Sequence, residues 1–201
     1  MRASEHSRPD VAAERIAYGA AMADLDPARL VFLDESGIKT NMTRTYARAP
    51  VGVRAVGAAP VNWKRLTLLG ALSLDGIAGA MTVPSGTTAV VFLDFLKTTV
   101  LPFLAEHKPD AILVMDNLSA HKNKEVQEMI SAAGLTLQYL PRYSPDFSPI
   151  EACWSKIKTA LRAKAARTVE TLRDAFADAV ATITAQDARA WFAHCGYLIL
   201  A

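Results

Sequence analysis

Leu66–Val83, LTLLGALSLDGIAGAMTV, decides the fold class. Two apolar, β-prone runs, Leu66 to Leu74 and Ile77 to Val83, flank Asp75-Gly76. That dipeptide is a strong signal for a tight antiparallel hairpin, because its glycine tolerates the positive φ that a two-residue turn needs. Upstream, Leu30 to Asp34 is a continuous apolar run with Val31 and Phe32, predicting a buried strand. Between the two, Gly37 to Trp63 shows no period and reads as a long loop, with at most a short strand near Tyr46 to Ala49. A loop of that length inside a compact domain is usually functional.

Downstream, Thr87 to Glu106 reads as a helix, with Val91, Phe92, Phe95, Leu96 and Thr99 on one side. Ala111 to Met115 is another buried strand. Ser119 is placed to cap a helix running to about Ala133, which Gly134 stops. Leu135 to Leu140 is the last strand, and Pro141 to Pro149 a proline-rich loop. Pro149 suits a first helical position behind Ser148, and the helix runs to about Ala165 with the apolar stripe Ile150, Trp154, Ile157, Leu161. Thr168 caps a final helix that turns Val169, Leu172, Phe176, Val180 and Ile183 inward. At the other end, residues 1–12 are polar and expected to fray, and Ala13 to Leu25 forms a short helix stopped by Asp26-Pro27. The expected architecture is α/β: a mixed sheet, antiparallel strands first and strand–helix crossovers after, flanked by helices. It divides into a short N-terminal tail and helix over 1–28 and one domain over 29–201.

The 201 residues suffice for one domain with a full core, and 51% of them are hydrophobic. No stretch approaches eighteen uncharged apolar residues, so no membrane span is expected, and MRASEHSRPD at the N-terminus has no secretory signal. Cys153 and Cys195 stand alone, which suggests a reduced cytosolic setting and neither a disulfide framework nor a zinc site. Net charge is only +2, but the charge is segregated. Ser36 to Leu74 holds Lys39, Arg44, Arg48, Arg54, Lys64 and Arg65 with no acid. Ala152 to Arg167 holds Lys156, Lys158, Arg162, Lys164 and Arg167, again with no acid. Such segregation suits a polyanionic partner, although a solvated loop and a solvated helix face explain each run singly.

Three acids end or begin regular elements: Asp34 in LVFLDESG, Asp116 in AILVMDNLSAHK, and Glu151 in LPRYSPDFSPIEACWSKIK. Each has an ordinary explanation. Asp34 and Asp116-Asn117 are turn formers at strand ends. Glu151 completes a capping box with Ser148. Together they form what a magnesium-dependent phosphodiester enzyme requires, with strand-ending acids at the carboxyl end of the sheet. Glu35 points away from Asp34 by strand alternation and is expected to matter much less. On the helix after Glu151, Ser155, Lys158 and Arg162 continue its face, as a phosphate-binding ridge would. Asn117 and His121 are candidates to support the acids, although a histidine so placed is more often packed or solvated. Trp63 and Trp154 read as anchors of loop and core.

LDESG, VMDNLSAHK and LPRYSPDFSPIEACWSKIK together resemble the catalytic domain of the DDE transposases, in the bacterial insertion-sequence branch of the IS-six-thirty/Tc-one/mariner superfamily. The resemblance runs from Leu30 to Arg162, with a weaker echo in AWFAHCGY, Ala190 to Tyr197. It implies a ribonuclease-H-like fold and puts the metal-binding, catalytic acids at Asp34, Asp116 and Glu151. It implies two Mg2+ ions, with Mn2+ possible, Asp34 bridging them while Asp116 and Glu151 each complete one. Asp34, Asp116 and Glu151 crowded together without a cation should include groups of raised pKa. The loop at about 37–63 corresponds to the family's clamp for DNA or a partner subunit. DNA contacts are expected at Lys39, Arg44, Arg48, Lys64, Arg65, Lys122, Arg142, Lys158 and Arg162.

The implied activity is strand cleavage at transposon ends and transfer of the freed 3′-hydroxyl into target DNA, at a TA dinucleotide. The implied setting is the bacterial cytoplasm at the nucleoid, with a homodimer or higher oligomer on DNA. Family members carry N-terminal helix-turn-helix modules, whereas about 29 residues precede the first strand here. That pattern resembles a catalytic half or truncated copy served by a separate helix-turn-helix DNA-binding protein. A non-catalytic assembly or inhibitory partner is the alternative. Another nuclease of the same fold is more remote, and a carboxylate-pair glycosidase more so, since sugar-stacking aromatics are few.

Overall fold

The computed structural model describes residues 4–84, 86–118 and 121–197. Five strands form one sheet: β1 Leu30–Lys39, β2 Arg65–Ser73, β3 Gly76–Val83, β4 Ile112–Met115 and β5 Thr136–Tyr139. The spatial order is β3-β2-β1-β4-β5. The β1–β2 and β2–β3 pairs are antiparallel, while β4 joins β1, and β5 joins β4, in parallel. This is the expected mixed, ribonuclease-H-like sheet.

Strand alternation splits the core into two layers. On one face Leu30, Phe32, Ile38, Leu66, Leu68 and Leu72 pack against α1 (Pro9–Ala23), α5 (Pro149–Lys164), α6 (Val169–Ala181) and α7 (Ala185–His194). On the other, Val31, Leu33, Leu69, Ala71, Leu113 and Met115 pack against α2 (Ala89–Phe95), α3 (Leu101–His107) and α4 (Lys124–Ala132). The stripe Ile150, Trp154, Ile157, Leu161 on α5 is fully buried, as its spacing predicts. Among the described residues no helix is long and apolar enough to cross a membrane.

Several boundaries differ from expectation. β1 runs five residues past Asp34 because β2 pairs with it from Val31 to Lys39, although Glu35–Lys39 carries little strand propensity. The hairpin turn is Leu74-Asp75, and Gly76, at φ +118°, opens β3. The loop is Thr40 to Lys64, closed at its neck by the Lys64 amide donating to Thr40 Oγ1 at 2.9 Å. No strand forms at Tyr46 to Ala49. α1 starts at Pro9, whose ring presets the first helical φ. The helix expected from Thr87 is interrupted by a π-turn at Leu96–Val100, where Pro102 removes a backbone donor. The expected Ser119 cap lies outside the described residues. α4 begins at Lys124, capped by Asn123, whose side chain accepts from the Glu125 amide at 2.7 Å. α7 is an unexpected element, set by the Thr184–Asp187 capping box.

Candidate active site

Asp34 continues the Leu30–Phe32 series and emerges on the α5 face, two residues past the last β1 position paired with β4. It is therefore inside β1 yet beyond the carboxyl end of its parallel neighbour. Asp116 directly follows β4, and Glu151 sits in the first turn of α5. All three line one cleft of about 400 Å3, closed on one side by the proline loop from Leu140 to Ser148.

The three acids have different surroundings. Asp34 Oδ2 accepts from the Trp154 indole Nε1 at 2.9 Å. Burial, and then the negative charge of Glu151, raise its pKa to about 7. Asp116 Oδ1 accepts from the Leu118 amide at 3.0 Å, an Asx-turn, and from His121 Nδ1 at 2.7 Å. Burial pushes Asp116 up, but those hydrogen bonds outweigh it and its pKa is lowered. His121 is fully buried, and its Nε2 lies 3.2 Å from Glu35 Oε2. Burial disfavours its charged form; Asp116 and Glu35 overcome this and raise its pKa to about 9. Glu151 is exposed, and among the described residues its carboxylate accepts no hydrogen bond. Ser148 stands at the N-cap position without a side-chain cap bond, so the capping box that competed for Glu151 does not form.

Asn117 donates to the Leu140 carbonyl, tying the end of β4 to the proline loop. It supports the cleft wall and does not close the Asx-turn; Asp116 does.

The donor set fits a hard divalent cation. It consists of carboxylate oxygens with no thiolate, and its one imidazole is already engaged by carboxylates. The raised pKa of Asp34 reflects the cost of placing negative charge beside Glu151 in a partly dry cleft, which a divalent cation offsets. Among the described residues no three His, Cys, Asp or Glu side chains converge on a single ion position. The acids stand as separate points on the wall of one cleft.

A family model described as DDE superfamily endonuclease matches residues 29–173. The chain belongs to this family. No curated protein matches the sequence. Among solved structures, the Mos1 transposase paired-end complex with left transposon end is similar at TM-score 0.79 and 16% identity, over 96% of this chain and 61% of that chain. The mariner Mos1 paired end complex with Mg gives 0.74 and 16%, over 97% and 61%. The catalytic domain of Mos1 mariner transposase gives 0.71 and 15%, over 96% and 89%. At such identities the likeness concerns the fold. The chain spans about 61% of the Mos1 chains in those two complexes.

In this DDE endonuclease the predicted DNA-contact residues differ in their surroundings. Arg44, Arg48 and Lys64 are exposed on the Thr40–Lys64 loop. At its base Lys39 and Arg65 are cross-strand partners, a like-charge pair that an anion would stabilise. Lys39 also sits 4.2 Å over the Trp63 ring, and Lys122 is exposed. On α5, Lys156 pairs with Asp187 and Lys164 pairs with Asp178, while Arg167, in the α5–α6 connection, donates to the carbonyls of Thr40, Met42 and Ala58. That leaves Lys158 and Arg162 without an ion pair among the described residues. Arg142 is already neutralised, bound by Asp10 at 2.8 Å and Glu14 at 2.6 Å from α1.

Sequence reasoning missed three contributors. Trp154 is a core residue, yet its indole also donates to Asp34. Gly70, opposite Asp34 on β2, gives that ring its space; a Cβ there would meet Trp154 Cη2 at 2.5 Å. Glu35, set aside by alternation, reaches His121 on the far face. Alternation was the available signal: it excluded Glu35 from the cleft and also placed it on the face that carries α4.

Proposed function

We propose that this DDE endonuclease is a transposase catalytic domain that cuts DNA at transposon ends and joins the freed 3′-hydroxyl to target DNA, using two divalent ions, Mg2+ or Mn2+. The observation that carries this reading is the shared cleft: Asp34 from β1, Asp116 from the end of β4 and Glu151 from α5 line one cavity of about 400 Å3. Bound there, a divalent cation supplies charge stabilisation for displacement at a phosphodiester. Asp34, Asp116 and Glu151 would hold the ions, Asp34 contributing to both and Asp116 and Glu151 to one each. Trp154 orients Asp34, and Asn117 holds the cleft wall. Lys158 and Arg162 continue the Glu151 face of α5 as a phosphate-binding ridge, while Lys39, Arg65 and the loop cations hold more distant phosphates.

Mos1 occurs in paired-end complexes with transposon-end DNA. Carried to this chain, that makes transposon ends the substrate and a homodimer or higher oligomer the working unit. Recognition of the ends falls to a helix-turn-helix module, which a separate protein can supply. The test is nicking of supercoiled plasmid carrying the element's ends. Asp34→Ala, Asp116→Ala and Glu151→Ala should each abolish Mg2+-dependent nicking while circular dichroism stays native. Substantial nicking by any folded member of the three removes that residue from the assignment.

A further inference from the structure

We infer that Glu35 and His121 form a positioning relay that holds Asp116 in the cleft, so that the Asp34-Glu35 dipeptide serves two of the three acids from opposite faces of the sheet. This rests on the reading of the cleft as a divalent-cation site. Successive strand residues point to opposite faces. Asp34 enters the cleft beside α5, and Glu35 enters the layer beneath α2 and α4. There its side chain is 10% exposed and His121 is fully buried. The imidazole lies between two carboxylates, with Nδ1 2.7 Å from Asp116 Oδ1 and Nε2 3.2 Å from Glu35 Oε2.

The second of these is off-line for a hydrogen bond, and Oε2 has no other partner. It therefore packs against the ring on the side away from Asp116 and limits its rotation. The ring is also held by Phe92, at 4.4 Å between centroids, and its backbone by the Tyr139 hydroxyl, which donates to the His121 carbonyl at 2.8 Å. With Oδ1 occupied by His121 and the Leu118 amide, Asp116 has one orientation and presents Oδ2 for further bonding. A buried polar atom left without a hydrogen-bond partner is costly, and Oε2 is such an atom. Partners that hydrogen-bond a ligating group set its orientation, and their loss typically lowers metal affinity about 10- to 100-fold.

Mn2+ affinity, read by electron paramagnetic resonance on the folded chain without DNA, tests the relay. Wild type should bind Mn2+, and Asp116→Ala should weaken binding. Glu35→Ala should weaken it about 10- to 100-fold, and Glu35→Gln, which keeps the side chain's shape and an oxygen beside Nε2, should recover part of the loss. In an Asp116→Ala background Glu35→Ala should have no further effect, which separates action through Asp116 from general loosening. If Glu35→Ala does not fold, Glu35→Gln and His121→Gln carry the comparison, with losses that vanish in the Asp116→Ala background. A folded Glu35→Ala that binds Mn2+ within about twofold of wild type, well short of the typical effect, while Asp116→Ala does not, overturns the relay and leaves the cleft assignment intact. Absence of Mn2+ binding by wild type, or wild-type binding by Asp116→Ala, overturns the cleft assignment and the relay with it.

Discussion

Gly70→Ala probes the packing that aims Asp34. Gly70 pairs with Asp34 across β1 and β2, and a Cβ there would lie 2.5 Å from Trp154 Cη2, 2.8 Å from Cζ2 and 3.5 Å from Ile150 Cδ1. Only the last distance is ordinary van der Waals separation. Gly70 has no positive φ, so alanine meets no backbone strain and the indole must give way. Overpacking a tight core costs about 1–3 kcal/mol. Replacing glycine within a strand returns about 0.5–1 kcal/mol. The net loss should be about 1–2 kcal/mol, which lowers Tm by about 2–8 °C for a chain of this size. Trp154→Phe removes both clashing atoms as well as the indole donor to Asp34. In that background Gly70→Ala should cost nothing or stabilise slightly, giving a coupling of about 1–3 kcal/mol. Urea unfolding of wild type, both single variants and the double variant measures it. An equal Gly70→Ala penalty in both backgrounds, with coupling below about 0.5 kcal/mol, would refute the idea that this glycine exists to seat Trp154.

Replacing Lys158 and Arg162 with alanine should weaken DNA binding and flatten its salt dependence by about 0.9 in log–log slope for each phosphate that these side chains neutralise; an unchanged slope means this face does not meet phosphate. Arg167→Ala should release the Thr40–Lys64 loop from its tether at the carbonyls of Thr40, Met42 and Ala58, and speed trypsin cleavage at Arg44, Arg48 or Arg54 several-fold, with little change in Tm; an unchanged cleavage rate contradicts the stapling role. Stability of the metal-free protein should fall as pH rises from about 4 to about 7, because folded Asp34, with its pKa near 7, keeps a proton that the unfolded chain releases near 3.8. The loss is on the order of 4 kcal/mol. His121, raised to about 9 from 6.5, extends the decline above neutrality. Asp34→Asn should remove the lower part of the decline, and a Tm profile in EDTA that this substitution leaves unchanged counts against the assigned environment.

Much of the fold is readable because its signals are local. Asp75-Gly76 marks the hairpin, and alternation and the α5 stripe mark the two layers. What the sequence conceals is decided by partners remote along the chain. Glu35–Lys39 has weak strand propensity and becomes strand only because β2 pairs with it. Ser148 and Glu151 have the capping-box pattern, but the bond is not made and Glu151 faces the cleft. Arg142 reads as a DNA contact until α1, from the other end of the chain, supplies Asp10 and Glu14. Conversely, α7 is announced by Thr184 and Asp187, a capping pair that local pattern alone could have revealed. The three acids can be singled out from their strand and helix ends. Their unequal environments cannot, because Trp154, His121 and Glu35 acquire their roles only when the sheet brings its two faces to the same edge.

Anomalous diffraction from crystals soaked in Mn2+ tests the central claim most directly. Density is expected in the cleft in contact with Asp34 and with at least one of Asp116 and Glu151, and should be lost in Asp34→Asn crystals. Manganese bound only elsewhere, with the cleft empty at saturating concentration, would contradict it.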